Sequence, residues 1–142
     1  MMLRPGWRGD RGSVAVEMAV IAPALVALLL LVVLAGRVAQ ADGDVRRAAS
    51  AAARAASLRQ DPVDATAAGR QAAQANLADS GVGCGRVDTE VDTTRFFAGG
   101  AVAVTVRCTA SMSDVSGLGV PLRRTFIARS VEVIDRYRGG DL

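Results

Sequence analysis

The sequence predicts an α+β protein with a long N-terminal transmembrane and stalk helix, a second short helix, and a small antiparallel three-stranded sheet with one disulfide. Three observations support this prediction. Residues 18–36 carry no charged side chain, and an Ala-rich stretch without proline follows them. In the second half of the chain, three segments alternate apolar and polar residues, as half-buried strands do.

The composition limits both the core and the partners of the protein. Of the 142 residues, 51% are hydrophobic, but these are mainly Ala, Val and Leu, and alanine fills little volume. The roughly one hundred residues outside the apolar stretch can bury only a small core, so we expect a disulfide or a partner to stabilise it. The basic residues are interleaved with acids, so the net charge of +3 does not favour nucleic acid, and we expect none.

The uncharged stretch is long enough to span a membrane. At 1.5 Å per residue, residues 18–36 approach the ~30 Å thickness of the hydrocarbon layer. Three arginines and one aspartate precede the stretch, so the positive-inside rule predicts a cytoplasmic N-terminus and an extracytoplasmic C-terminal part. Arginines also follow the stretch and oppose this orientation. The residues concerned are Arg4, Arg8, Asp10 and Arg11 before it, and Arg37, Arg46 and Arg47 after it.

A cleaved secretory signal is the alternative interpretation of this segment. Ala39, Gln40 and Ala41 match the small-x-small pattern of a signal-peptidase site. Two features favour an anchor instead. The apolar stretch is longer than the seven to fifteen residues or so usual in a signal peptide, and Glu17 interrupts its start.

Glu17 is the residue of the N-terminal region that most needs an explanation. A carboxylate in a membrane helix costs up to ~3 kcal/mol at the bilayer centre and less near the interface, so such a group indicates function by default. It stands five residues after Gly12, which ends the basic leader. The plainer alternative is an interfacial acid that precedes an ordinary signal anchor.

Residues 11–17, with the sequence RGSVAVE, resemble the processing site of type IV pilin-like precursors. In that family a prepilin peptidase cuts after the glycine, and the glutamate at the fifth mature position pairs with the new N-terminal amine of a neighbouring subunit. The resemblance implies cleavage between Gly12 and Ser13. It also implies that Glu17 is the docking carboxylate, with the amine of Ser13 as its partner in the next subunit.

More narrowly, this segment together with Ala22-Pro23, Gly36-Arg37 and the Ala/Arg-rich stretch resembles TadE-like minor pseudopilins of the Tad/Flp (type IVc) pilus. The major Flp pilin is much shorter and has Tyr where this chain has Met18, which favours a minor subunit. The resemblance implies a bacterial inner-membrane protein. Its expected partners are other pilin-like subunits, the Tad assembly platform, a prepilin peptidase and the lipid bilayer, without a cofactor or small-molecule substrate.

Four segments are predicted along the chain: a cytoplasmic leader (1–12), a transmembrane helix (13–36), an extracytoplasmic helical stalk (37–59) and a small α+β domain (60–142). The Ala-rich stalk could pack against a partner helix or against the protein's own sheet, and the Ala content typical of a GC-rich genome explains it equally well. Pro62 begins a second helix that covers residues 65–79 and ends near Gly81.

Three strands follow, at residues 86–94, 102–112 and 125–135, with a turn at residues 98–100 and a loop at residues 113–122 between them. Acids on the first strand face water. They lie ~6.6 Å apart and lack further ligands, so we do not expect a calcium site. The acids are Asp88, Glu90 and Asp92; the predicted inward residues are Val87, Thr89 and Val91, then Val102, Val104, Val106 and Cys108, and finally Ile127, Val131 and Val133.

Cys84 and Cys108 are the only cysteines, and the predicted hairpin brings them together on the exported side of the membrane. We therefore predict a disulfide, with two free thiols or a metal pair as alternatives. A zinc site lacks further ligands, since the chain has no His and no third Cys, and we expect no metal.

The absence of His and Lys excludes a Ser-His-Asp triad, a His metal site, a P-loop and a Schiff base. We therefore predict no catalytic residues and no enzyme activity. The main alternative to the pilus function is a signal-anchored or secreted envelope domain with no pilus role. An envelope hydrolase is a third hypothesis, from a different class.

Overall fold

The computed structural model describes residues 11–111 and 123–137, the first three by their backbone alone. The elements are α1 (Arg11–Ser57), α2 (Pro62–Ser80), β1 (Cys84–Arg95), β2 (Ala101–Ser111) and β3 (Arg123–Val133). The three strands form one antiparallel sheet and a disulfide joins the two cysteines, so the predicted fold class is confirmed. Most of the predicted leader and all of the predicted loop 113–122 lie outside the described residues.

The chain divides into two compact units, Met1–Arg37 and Val38–Leu142. In the first unit, the helical side chains from residue 14 to residue 36 are exposed at every position, and Pro23 does not end the helix. The most apolar 18-residue window of α1 has a mean hydropathy of 3.0. A helix that is apolar all round requires an apolar surrounding, because water would meet its entire hydrophobic surface. Within the part of the chain that the structure describes, α1 is the one helix long and apolar enough to cross a membrane.

In the second unit, the remainder of α1 packs with α2 over one face of the sheet. Its buried positions recur every three or four residues, which is the spacing that places side chains on one helix face. The segment predicted as a stalk therefore packs within the protein's own core. The buried residues of this segment are Ala41, Asp44, Val45, Ala48, Ala49, Ala52, Ala53 and Ala56.

The ends of α2 follow from the signals in the sequence. Asp61 is the N-cap, and its carboxylate accepts a hydrogen bond of 2.6 Å from the backbone N–H of Val63. Pro62 occupies the first turn, where its missing N–H leaves no helical hydrogen bond unmade. Gly81 ends the helix in the left-handed conformation with φ of 72°. The predicted second helix is confirmed.

The sheet has the order β1-β2-β3, with both neighbouring pairs antiparallel. The inward faces predicted for the first two strands are confirmed. Thr89 is buried in β1, and Val102, Val104, Val106 and Cys108 are fully buried in β2. The turn between these strands contains Gly99 with φ of 78°, and its N–H donates a hydrogen bond of 3.1 Å to the carbonyl of Ile134.

The face predicted for the third strand is wrong. Ile127, Val131 and Val133 are 58%, 52% and 73% exposed, whereas Phe126 and Ala128 are buried. The register explains the difference, because Phe126 lies opposite Cys108 and Ala128 lies opposite Val106 of the buried β2 face. Directly paired residues share one side of a sheet, so the odd-numbered residues of β3 point away from the helices.

The disulfide joins Cys84 to Cys108, with 5.4 Å between their Cα atoms and a sequence separation of 24 residues. Both half-cystines adjoin the main core cluster, and Cys108 is fully buried within it. The bond closes the end of the hairpin opposite its turn. The predicted disulfide is confirmed.

Candidate assembly site

The first turns of α1 bring together the residues predicted to act in assembly. The described part of α1 starts at Arg11, so the Gly12–Ser13 peptide bond lies at its described N-terminal end.

Glu17 is exposed one turn further along α1, among the exposed apolar residues Val14, Val20 and Ile21. Positions 13 and 17 are four residues apart, so they lie on one helix face about 6 Å apart along the axis. Among the ion pairs of the described residues, none involves Glu17. The Glu17 carboxylate therefore lies on the surface of an apolar helix, where a positive group from another molecule can approach it.

The side of the sheet away from the helices, which we call the outer face, differs in character from strand to strand. On β1 it is acidic, on β2 it carries alanine, two threonines and one arginine, and on β3 it is mainly apolar. The outer face consists of Asp88, Glu90 and Asp92 on β1, Ala103, Thr105, Arg107 and Thr109 on β2, and Thr125, Ile127, Arg129, Val131 and Val133 on β3.

Arg107 neutralises part of the acidic strand. One of its guanidinium nitrogens lies 3.3 Å from a carboxylate oxygen of Glu90 and 3.7 Å from one of Asp88. Two acids that share one arginine are poor candidates for a cation site, because the positive charge is already supplied. Across residues 11–111 and 123–137, no group of three or more metal-ligating side chains is found.

Asp92 has a lowered pKa because it accepts two hydrogen bonds from Thr94. The hydroxyl and the backbone N–H of Thr94 both donate hydrogen bonds to Oδ1 of Asp92, at 2.7 Å and 3.0 Å. These bonds, the hydroxyl first, stabilise the charged form and lower the pKa of Asp92, with a smaller contribution from the positive charge of Arg129.

Asp44 is a buried charge that the sequence interpretation missed. It is 4% exposed in the Ala-rich face of α1, and Arg47, one turn on, donates a hydrogen bond to its Oδ1. Within the described part of the chain, its Oδ2 is buried without a hydrogen-bond partner. The available signal was its spacing, because Asp44 falls three residues after Ala41 and four before Ala48, on the stripe that the helix buries.

Together these features fit a membrane-anchored protein with one long apolar helix and a small disulfide-bonded α+β unit. The model of the family described as "TadE: TadE-like protein" matches residues 12–54. This match covers the N-terminal part of the chain, and it supports the resemblance of that part to TadE-like proteins of the Tad/Flp pilus system. No curated protein and no solved structure matches the chain.

Proposed function

We propose that this protein is a minor, TadE-like pseudopilin that takes part in assembly of a Tad/Flp pilus at the bacterial inner membrane. The apolar part of α1 spans the membrane once, with the N-terminus in the cytoplasm and the α+β domain outside. The observation that carries the proposal is Glu17, a carboxylate near the start of an apolar helix that forms no ion pair among the described residues and lies within the segment that the family model matches.

The four segments then have distinct roles. Residues 1–12 form the leader, which a prepilin peptidase removes by cutting between Gly12 and Ser13. Residues 13–36 anchor the protein in the membrane. Residues 37–59 carry the helix outward, and residues 60–142 form the outer domain, although the helix up to Ser57 contributes much of that domain's core.

Docking of one subunit on the next follows from electrostatics. A carboxylate in a low-dielectric surrounding is costly when alone and much less so when an ammonium group meets it. Cleavage would create such a group at Ser13, at the positive end of the α1 dipole, where a carboxylate is also favoured. A neighbour shifted by roughly 6 Å along the helix axis would place its new amine level with Glu17.

The proposed role is structural. The chain binds other subunits and the assembly platform, and it catalyses no reaction. The second candidate is a signal-anchored or secreted envelope domain without a pilus role, and it is supported by the small-x-small pattern at Ala39-Gln40-Ala41.

The mature N-terminus distinguishes these candidates. Full-length protein is expressed in a host that builds the pilus, with and without its prepilin peptidase, and the N-terminal peptide is read by mass spectrometry. We expect a start at Ser13 only when the peptidase is present. A start at Asp42 would indicate secretion, and an intact Met1 in the presence of the peptidase would contradict the processing step.

The docking role is tested by Glu17→Ala, with Glu17→Asp as the conservative variant and Met18→Ala as the matched control. We expect Glu17→Ala to lower recovery in the pilus assembly fraction at least about tenfold, which corresponds to ~1.4 kcal/mol of lost interaction. Membrane insertion and cleavage should be unchanged. Glu17→Asp should restore part of the recovery, and Met18→Ala should behave as the native chain. Normal recovery of Glu17→Ala would refute the docking role.

A further inference from the structure

The small-x-small motif at residues 39–41 is helical and partly covered in the structure. Ala39, Gln40 and Ala41 lie three to five residues beyond the uncharged stretch 18–36, which is where a signal peptidase meets an exported chain. All three belong to the uninterrupted helix α1. Ala39 is exposed, whereas Ala41 is 9% exposed and belongs to the main core cluster of the second unit.

Folding of the second unit and cleavage at this motif exclude each other. A protease binds its substrate in an extended form, whereas a helix ties each residue to the next turn by backbone hydrogen bonds. Just beyond the motif, Asp44 and Val45 are 4% and 0% exposed, so the chain on both sides of the scissile bond would have to leave the core. The motif therefore becomes accessible only when the second unit opens.

Two glycines flank the motif, and packing requires neither of them. A Cβ added at Gly36 or at Gly43 would meet nothing within 4 Å, and neither glycine has a positive φ. Each nevertheless weakens the helix relative to alanine, because glycine loses more backbone freedom on folding. Once the packing of the second unit is lost, residues 37–42 should therefore unwind more readily than an uninterrupted Ala-rich helix.

We propose that a signal peptidase cuts this chain between Ala41 and Asp42 only when the second unit is unfolded. Water adds across the amide bond, which leaves a carboxylate on Ala41 and a free amine on Asp42. Unfolded copies thereby lose the apolar stretch that anchors them, and folded copies keep it. This inference uses the proposed orientation of the chain in the membrane, and it does not use the pilus role.

The stability of the second unit then determines how much of the chain is cut. Cleavage of a protein that opens transiently follows the population of the open form when opening and closing are fast. The disulfide between Cys84 and Cys108 lowers that population, because it restricts the unfolded chain. Chains that have not yet formed this bond, or cannot form it, should be cut fastest.

Pulse labelling of the full-length chain in a bacterial host tests the proposal. The native chain is compared with a variant in which Cys84 and Cys108 are both replaced by Ala, and mass spectrometry reads both new ends, at Ala41 and at Asp42. We expect cleavage of this cysteine-free variant to be at least about tenfold faster than that of the native chain. An inhibitor of signal peptidase should prevent it.

A second destabilised variant separates stability from the loss of the thiols. Gly69→Leu retains both cysteines but places a side chain where a Cβ would already lie 3.1 Å from Cγ2 of Val91. It should also be cut between Ala41 and Asp42 faster than the native chain. A variant that is destabilised but not cut faster would contradict the proposal.

Three substitutions in the cysteine-free variant test the motif and its flanks. Ala39→Leu changes an exposed position and removes the first small residue of the motif, so it should abolish the cut. Gly36→Ala together with Gly43→Ala should slow the cut at least about twofold, because alanine strengthens the helix. Gly83→Ala is the matched control, since a Cβ there also meets nothing within 4 Å, and it should leave the rate unchanged.

The disulfide of the native chain reports separately on the orientation, because such bonds form on the oxidising side of the membrane. If that disulfide forms and the cysteine-free variant stays uncut, the inference fails and the proposed function is unaffected. A native chain without the disulfide would refute both the inference and the proposed orientation. Equal cleavage of the native and cysteine-free chains would show that folding does not protect the motif, and cleavage that survives Ala39→Leu would show that a different protease acts.

Discussion

Gly69 of α2 lies close to both α1 and β1, and its substitution tests the packing of the second unit. A Cβ at this position would lie 3.1 Å from Cγ2 of Val91 on β1. It would also lie 3.5 Å from the carbonyl oxygen of Ala52 and 3.5 Å from Cβ of Ala56, both on α1. Carbon atoms pack best at about 3.5–4.0 Å, so even a methyl group requires Val91 to move, and a larger side chain has no room.

Gly43 in α1 offers a matched control, because a Cβ there meets nothing within 4 Å. Replacing glycine by leucine inside a helix gains most of the ~1 kcal/mol that separates glycine from alanine, and this gain is common to both sites. Overpacking costs about 1–3 kcal/mol and applies at Gly69 alone. The difference between the two leucine variants therefore isolates the packing cost.

We expect Gly69→Leu to have a free energy of unfolding about 1–3 kcal/mol lower than Gly43→Leu, and Gly43→Ala to be more stable than the native chain by up to ~1 kcal/mol. The measurement is urea unfolding of the full-length protein in detergent micelles, followed by pulse proteolysis at sites in the second unit. Equal stability of the two leucine variants, within about 0.5 kcal/mol, would refute the close approach of α1, α2 and β1 at this position.

Two further predictions concern the hairpin. Replacing both Cys84 and Cys108 with Ala should lower the free energy of unfolding by about 3–4 kcal/mol, from the entropy of closing a loop with a separation of 24 residues; a loss below about 1 kcal/mol would contradict this. Because the pKa of Asp92 is lowered in the folded state, its contribution to stability is present above its unfolded pKa of about 3.9 and is lost as pH falls through the folded pKa. Thr94→Val should therefore raise the pKa of Asp92 towards its ordinary value, as measured by NMR titration of the carboxyl carbon, and an unchanged pKa would show that the Thr94 hydroxyl has no such effect.

Much of this protein could be predicted from local signals in its sequence. A helix long and apolar enough to cross a membrane follows from uncharged residues 18–36, because length and hydrophobicity are properties of the segment itself. Asp61, Pro62 and Gly81 define the ends of α2, because capping depends on side chains within a few residues of each helix end. The disulfide was predictable because the chain offers only two cysteines.

The face of β3, the burial of Asp44 and the close approach at Gly69 were decided by tertiary structure. On β3, apolar residues occupy both alternating sets of positions, so periodicity alone cannot choose between Phe126 and Ile127 for the core. The choice depends on register, which places Phe126 opposite the buried Cys108. Because successive side chains of a strand point to opposite faces, that one pairing turns Ile127 outward, and no local signal reveals this choice of face.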